Sequence, residues 1–208
     1  MKSATELALP NSKDTILDAA EILMARVGYG KASISQICQE SGLPVGSIYH
    51  HFGSKAGLLS AIMERASARF YATMPQPSDD PTVSNEQRVR EYWLSAADTI
   101  YANLTYFTLE ADLARSKKID EDLAQIVSRD RKTTHERLEA VLLPYLRELG
   151  IDNPENFAHR QVLFTVAFTR GAVIDAGDDL PRLRALMTDL YSHLHAVIRE
   201  AAATKTSV

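Results

Sequence analysis

Cysteine occurs once in the 208 residues, as Cys38, and tryptophan once, as Trp93. A lone cysteine cannot close an internal disulfide, so no disulfide framework holds this chain, and a single thiol fits a reducing compartment. Long apolar runs are missing as well. Nothing approaches the roughly 20 consecutive apolar residues of a membrane helix. Met1–Asn11 lacks the apolar core of a secretory leader. The expectation is a cytoplasmic protein with no membrane segment.

Strong charge is also lacking. The formal net charge is −4, and residues 1–60 balance five Lys/Arg (Lys2, Lys13, Arg26, Lys31, Lys55) against five Asp/Glu (Glu6, Asp14, Asp18, Glu21, Glu40). A domain that coats phosphate by bulk charge is strongly basic, so any contact with nucleic acid must use a small, placed footprint. No catalytic triad, phosphate loop or metal-ligand cluster stands at a recognisable spacing. No catalytic residue, metal or cofactor is therefore expected, and an all-α enzyme is the weaker reading. Neighbouring His50 and His51 point to different sides of a helix, as do His193 and His195. Cys38 reads as a small core residue beside Ile37.

What the chain does have is helical periodicity almost throughout, without long period-two alternation. Ile16, Ala20, Leu23 and Val27 make one stripe that ends at Gly28. A second helix opens at Ser33, where Ser33 and Gln36 have capping-box spacing. It turns Ile34, Ile37 and Cys38 inward and stops near Gly42. A third starts with Pro44 as its first residue, where a missing N–H costs nothing, and runs to about His51. A fourth follows Ser54 to about Met74. After the polar break Pro75–Pro81, helical patterns return over about 85–103, 105–116, 120–149, 155–176 and 181–202. Pro144 should kink or split the third of these.

Two short helices joined by Ser41-Gly42-Leu43-Pro44 have the form of a helix-turn-helix, whose second helix enters the major groove. Small exposed residues at the start of that helix, Val45-Gly46-Ser47, let its backbone approach base edges. Tyr49, His50, His51 and Lys55 can hold phosphates.

These residues resemble the TetR family of bacterial regulators over roughly residues 13–60. The match is carried by Ile16-Leu-Asp-Ala-Ala20, Gly28-Tyr29, Ser33-Ile-Ser-Gln-Ile37, Ser41-Gly42-Leu43, Gly46-Ser-Ile-Tyr-His-His-Phe52, Ser54-Lys55 and Leu58-Leu59. The resemblance implies that Ser33 holds a phosphate and that Val45, Gly46 and Ser47 face base edges. It also implies that Tyr49 and His50 touch phosphate or base, and that Lys55 pairs with the DNA backbone, with Ile48 and Phe52 in the core. Three departures stand out. Val45 replaces a frequent basic residue and could meet a thymine methyl. Gly57 stands where an acidic residue often completes a capping box, so the fourth helix should start loosely. Gly53 replaces a common proline, and the last two departures suggest a mobile hinge.

The expected architecture is all-α. Residues 1–60 form a three-helix helix-turn-helix DNA-binding domain, a helix over about 55–74 connects it, and 75–208 form a larger helical ligand-binding and dimerisation domain. The resemblance implies a homodimer through the last two helices, with Leu183, Leu186, Leu190, Leu194 and Val197 on the final one. It also implies a pocket for a small apolar or aromatic ligand, with Tyr92, Trp93, Tyr106, Phe107, Phe164 and Phe168 as candidates beside the alternative of plain core packing. The expected function is a repressor on double-stranded operator DNA that a small molecule releases. The alternatives are a regulator without a ligand and an activator.

Overall fold

A computed structural model describes residues 11–115 and 121–205; the first ten residues, read above for a secretory leader, lie outside the described residues. Among those described there are nine α-helices and no strand, as expected. They are α1 (Ser12–Val27), α2 (Ile34–Ser41), α3 (Val45–Phe52), α4 (Lys55–Thr73), α5 (Asn85–Ala102), α6 (Leu104–Arg115), α7 (Glu121–Glu148), α8 (Pro154–Ala176) and α9 (Leu180–Lys205). The chain forms two compact units. The first reaches to Ala66 and takes in Thr108–Ile126; the second is Ser67–Phe107 with Val127–Val208. The division therefore falls inside α4, ahead of the proline-rich break. The buried Leu109, Leu113, Leu123 and Ile126 belong to the first unit.

In the first unit α1, α2 and α3 pack on one another. The apolar stripe of α1 supplies Ile16, Ala20, Leu23 and Met24, which meet Ile37, Ile48, Leu58, Leu59, Ile62 and Met63 in a core with nearly no solvent exposure. Each of the large side chains contributes about 1.5–3 kcal/mol by burial. The sequence stripe placed Val27, Ile34 and Cys38 inward, but all three are only half-buried. In α2 the one fully buried residue is Ile37. Buried Glu21 is neutralised by Arg65 at 2.6 Å, which also reaches Asp18 at 2.7 Å and so fastens α1 to α4.

Local chemistry sets the ends of these helices. Asn11 caps α1, and Gly28 ends it at φ +86°. A Cβ on Gly28 would meet only the movable end of the Asp112 side chain, at 2.9 Å, so it is the positive φ that demands glycine there. Ser33 and Gln36 form the full capping box of α2, and Gly42 closes it in the left-handed conformation.

In the second unit α9 packs on α5 and α8. Its buried stripe is Leu183, Met187, Leu190, Leu194 and Ile198. This corrects the expected dimer stripe: Leu183, Leu190 and Leu194 fill the chain's own core, and Leu186 and Val197 are half-buried beside it. Pro144 does not split α7, which continues through it as one helix. On α8 the large apolar residues Leu163, Phe164 and Ile174 remain exposed at 46, 43 and 65%.

Candidate nucleic-acid interface

The site is built on α3, whose eight residues divide by helical period into an anchored side and a presented side. Ile48 is fully buried. Ser47, His51 and Phe52 are half-buried, while Val45, Gly46, Tyr49 and His50 face solvent. Val45 and Tyr49 are 50 and 51% exposed, one turn apart on the same side. Phe52 therefore lies at the edge of the core, where the resemblance had implied the core itself.

The helix is held from three directions. At its front, Pro44 takes an extended conformation (φ −69°, ψ 154°) and is the N-cap, so Val45 is the first helical residue instead of Pro44. No side chain caps this end. The first amides of a helix have no acceptor within it, so this terminus carries partial positive charge. On its flank, His51 Nε2 lies 2.8 Å from Ser12 Oγ, which ties α3 to the start of α1. Behind it, Gly53 ends the helix at φ +71° and donates its N–H to the Tyr49 carbonyl.

The turn into α4 is tighter than the sequence suggested. Ser54 Oγ accepts the Gly57 N–H at 2.9 Å, and the Leu58 N–H reaches the Ser54 carbonyl at 3.0 Å, so the α4 start is capped without an acidic partner. A Cβ on Gly57 would stand 2.2 Å from the Phe52 carbonyl oxygen. Glycine is thus a steric requirement at the position where the comparison with the family's usual pattern had suggested a loose end. Gly46 differs: a Cβ there meets nothing within 4 Å.

Two implied phosphate holders have partners inside the chain. The Ser33 hydroxyl accepts the Gln36 N–H at 3.2 Å and donates to Gln36 Oε1 at 2.9 Å. Lys55 Nζ donates to the Tyr29 carbonyl at 2.5 Å and sits 4.4 Å above the centre of the Tyr29 ring. Burial holds its pKa below the usual lysine value. Sequence reasoning did not find Tyr29 or Ser12 as partners, because neither contact follows from helical spacing. Arg26 is paired with Glu40 at 2.6 Å, and α3 itself contains no Lys, Arg, Asp or Glu.

In the second unit the aromatic candidates fall into three ring pairs. Tyr92 and Trp93 lie 5.5 Å apart, both buried. Burial pushes the Tyr92 hydroxyl up to about 12, and the Trp93 indole N–H has no hydrogen-bond partner. Tyr106 and Phe107 join Phe70 at 5.2–5.4 Å. Beside them Tyr71 donates to the Asp130 carbonyl at 2.5 Å, and Tyr106 reaches the Asp130 carboxylate at 3.4 Å. Burial raises the pKa of that carboxyl group. A cleft of about 320 Å³ opens at Tyr106, lined also by Arg69, Ala72, Thr73, Ala102, Asn103 and Thr105. Phe164 and Phe168 lie on α8 with their rings 6.1 Å apart; Phe164 is exposed and packs on His193 at 4.9 Å, and Phe168 is half-buried. Phe70, Tyr71 and Asp130 were missed, since a lone carboxylate on a helix reads as a solvated face.

A short helix presented beyond a glycine turn, over a three-helix core and followed by an all-helical unit, defines the helix-turn-helix class of DNA-binding fold. Residues 16–62 match the model of the bacterial regulatory proteins, tetR family. The HTH-type transcriptional regulator UidR of Escherichia coli K12 is 40% identical over 63 residues, which cover 28% of this chain and 32% of UidR. The HTH-type transcriptional regulator BetI of Vibrio campbellii is 28% identical over 189 residues, covering 85 and 88% of the two chains. The match to the first of these relatives thus spans about a third of its length. The solved structure of Salmonella enterica GusR superposes with a TM-score of 0.66 at 23% identity, over 94% of this chain and all of that one, so the likeness of fold extends through the body. The likeness to the TetR family is thus carried in sequence by residues 16–62 and in fold by the rest of the chain. Among the described residues, no helix is long and apolar enough to cross a membrane.

Proposed function

We propose that this protein is a sequence-specific regulator of transcription: a homodimeric repressor that binds double-stranded operator DNA and leaves it when a small molecule binds. The observation that carries this reading is α3, which turns Val45, Gly46, Tyr49 and His50 to solvent from a helix anchored by Ile48. UidR and BetI, named as HTH-type transcriptional regulators, support it. Tyr49 and His50 meet phosphate or base. The uncapped amino end of α3 attracts a phosphate through its amides. Ser33 places the amino end of α2, so the phosphate there meets amides more than hydroxyl. Lys55 has three N–H donors, so its bond to Tyr29 leaves it able to pair with backbone phosphate. His51 serves by holding α3 in place.

The dimer face in this reading is the exposed flank of α8, with Leu163, Phe164 and Ile174, together with the neighbouring side of α9 around His193. An exposed apolar flank of this kind marks an association surface, and a two-fold dimer presents two α3 helices to two half-sites. The ligand site lies in the body. It draws on Trp93, whose unpaired indole N–H asks for an acceptor, and on Tyr92, Tyr106 and Phe107. Release is a population shift toward a head spacing that no longer fits the operator.

The test is selection of bound duplexes from random DNA with the full chain, followed by anisotropy titrations at several salt concentrations. A two-fold symmetric sequence preferred by about 10³ or more, with affinity falling as salt rises, is the expected result. Selection that enriches nothing overturns the reading. A screen for ligand-induced thermal stabilisation separates a ligand-responsive regulator from one without a ligand.

A further inference from the structure

We infer that the recognition helix reads the 5-methyl group of thymine, and that Val45 is the residue that sets this specificity. The inference rests on the regulator reading above and adds what the operator must contain.

The side chains that read bases by paired hydrogen bonds are Arg or Lys on guanine and Asn or Gln on adenine. The sequence of α3, Val45-Gly-Ser-Ile-Tyr-His-His-Phe52, contains none of the four. Its inward residues are occupied, Ile48 in the core and His51 on Ser12. The face left for DNA has an apolar ridge, Val45 and Tyr49, each about half exposed. Four residues of α-helix rise about 6 Å, so the ridge is long enough to lie along two successive base pairs, stacked about 3.4 Å apart.

Gly46 supplies the second observation. Glycine weakens a helix by roughly 0.5–1 kcal/mol relative to alanine, and a Cβ at Gly46 would touch nothing within 4 Å. Nothing inside the chain needs glycine there, whereas Gly57, in the next turn, is forced by the Phe52 carbonyl. The gap beside Val45 lets an outside surface approach the helix backbone closely. In the major groove the apolar group on offer is the thymine methyl. A valine beside a missing Cβ, at the first turn of a helix without Arg, Lys, Asn or Gln, matches that group in size and polarity.

The experiment uses the full chain and the duplex obtained by selection. Each thymine is replaced singly by uracil, which removes the methyl and keeps the hydrogen-bonding edge. At one position per half-site the substitution should weaken binding roughly fourfold, the factor that corresponds to about 0.8 kcal/mol for one buried methyl group. Val45→Ala, checked for an unchanged thermal midpoint, should bind more weakly and lose the uracil penalty at that position. Uracil duplexes that all bind like the parent overturn the inference while leaving the regulator reading standing. So does a Val45→Ala protein that keeps the full penalty, or a penalty abolished by Tyr49→Ala alone. A selection that enriches no sequence overturns both.

Discussion

The two units place function in opposite ways. In the first, the presented residues lie within one helix of eight residues, and neighbouring contacts fix that helix. Ile48 anchors it, Ser12 holds His51, and the Gly53–Gly57 turn ends it. In the second, the candidate residues are spread over α5, α6 and α8 as separate ring pairs. A site confined to one helix is set by local chemistry. A site assembled from distant helices depends on how they pack, and each of its residues is equally at home in a core.

That comparison can be broken first at its glycines. Gly57→Ala puts a Cβ 2.2 Å from a backbone oxygen, so the chain must shift, and a loss of about 3 kcal/mol in stability is expected. Chemical denaturation checks it, and a variant as stable as the parent would remove the claim that the turn is sterically fixed. In the second unit, Phe164→Asp buries a charge in the proposed dimer face and should weaken association by at least about 2 kcal/mol with helicity unchanged. Sedimentation at several concentrations reads the shift to monomer; an unchanged dimer would move the interface away from α8.

Alkaline titration tests how tightly the body encloses Tyr92. An unfolded tyrosine loses its proton near its ordinary value of 10.0, whereas folded Tyr92 holds it to about 12. Between those values the folded state binds more protons, so its stability falls as pH rises through the window, by up to about 2–3 kcal/mol for this group. Tyr92→Phe should flatten that part of the slope, and an equal slope in both proteins would show an open, solvated ring. The smallest effect belongs to Gly46. Gly46→Ala should raise stability by about 0.5–1 kcal/mol yet weaken binding to the selected duplex, opposite in sign to Gly57→Ala.

The head was legible because its signals are local. Ser33 and Gln36 announced their capping box by spacing alone, and the turn at Gly42 with exposed Val45-Gly46 followed from residue type. Contacts across the fold were not legible. Lys55 is on Tyr29 and the Ser33 hydroxyl is on Gln36, where residue type for the first and the resemblance for both pointed to phosphate. Periodicity in α9 identified residues that bury but not their partner, and they pack on α5 and α8 of the same chain. The same holds for Phe164 and Phe168: hydrophobicity predicts a covered surface without saying whether the cover comes from within. The return of Thr108–Ile126 to the first unit left no sign, since its apolar spacing is that of any helix.

The central claim is that α3 recognises DNA through its solvent-facing side. The most direct measurement is a paired anisotropy titration of the parent chain and Tyr49→Ala on the selected duplex and a scrambled control, with thermal midpoints measured alongside. Tyr49 is half exposed, so its loss should leave the midpoint unchanged while reducing affinity for the selected duplex by about 1–3 kcal/mol. Equal affinity of both proteins, or equal binding of both duplexes by the parent, would contradict the account.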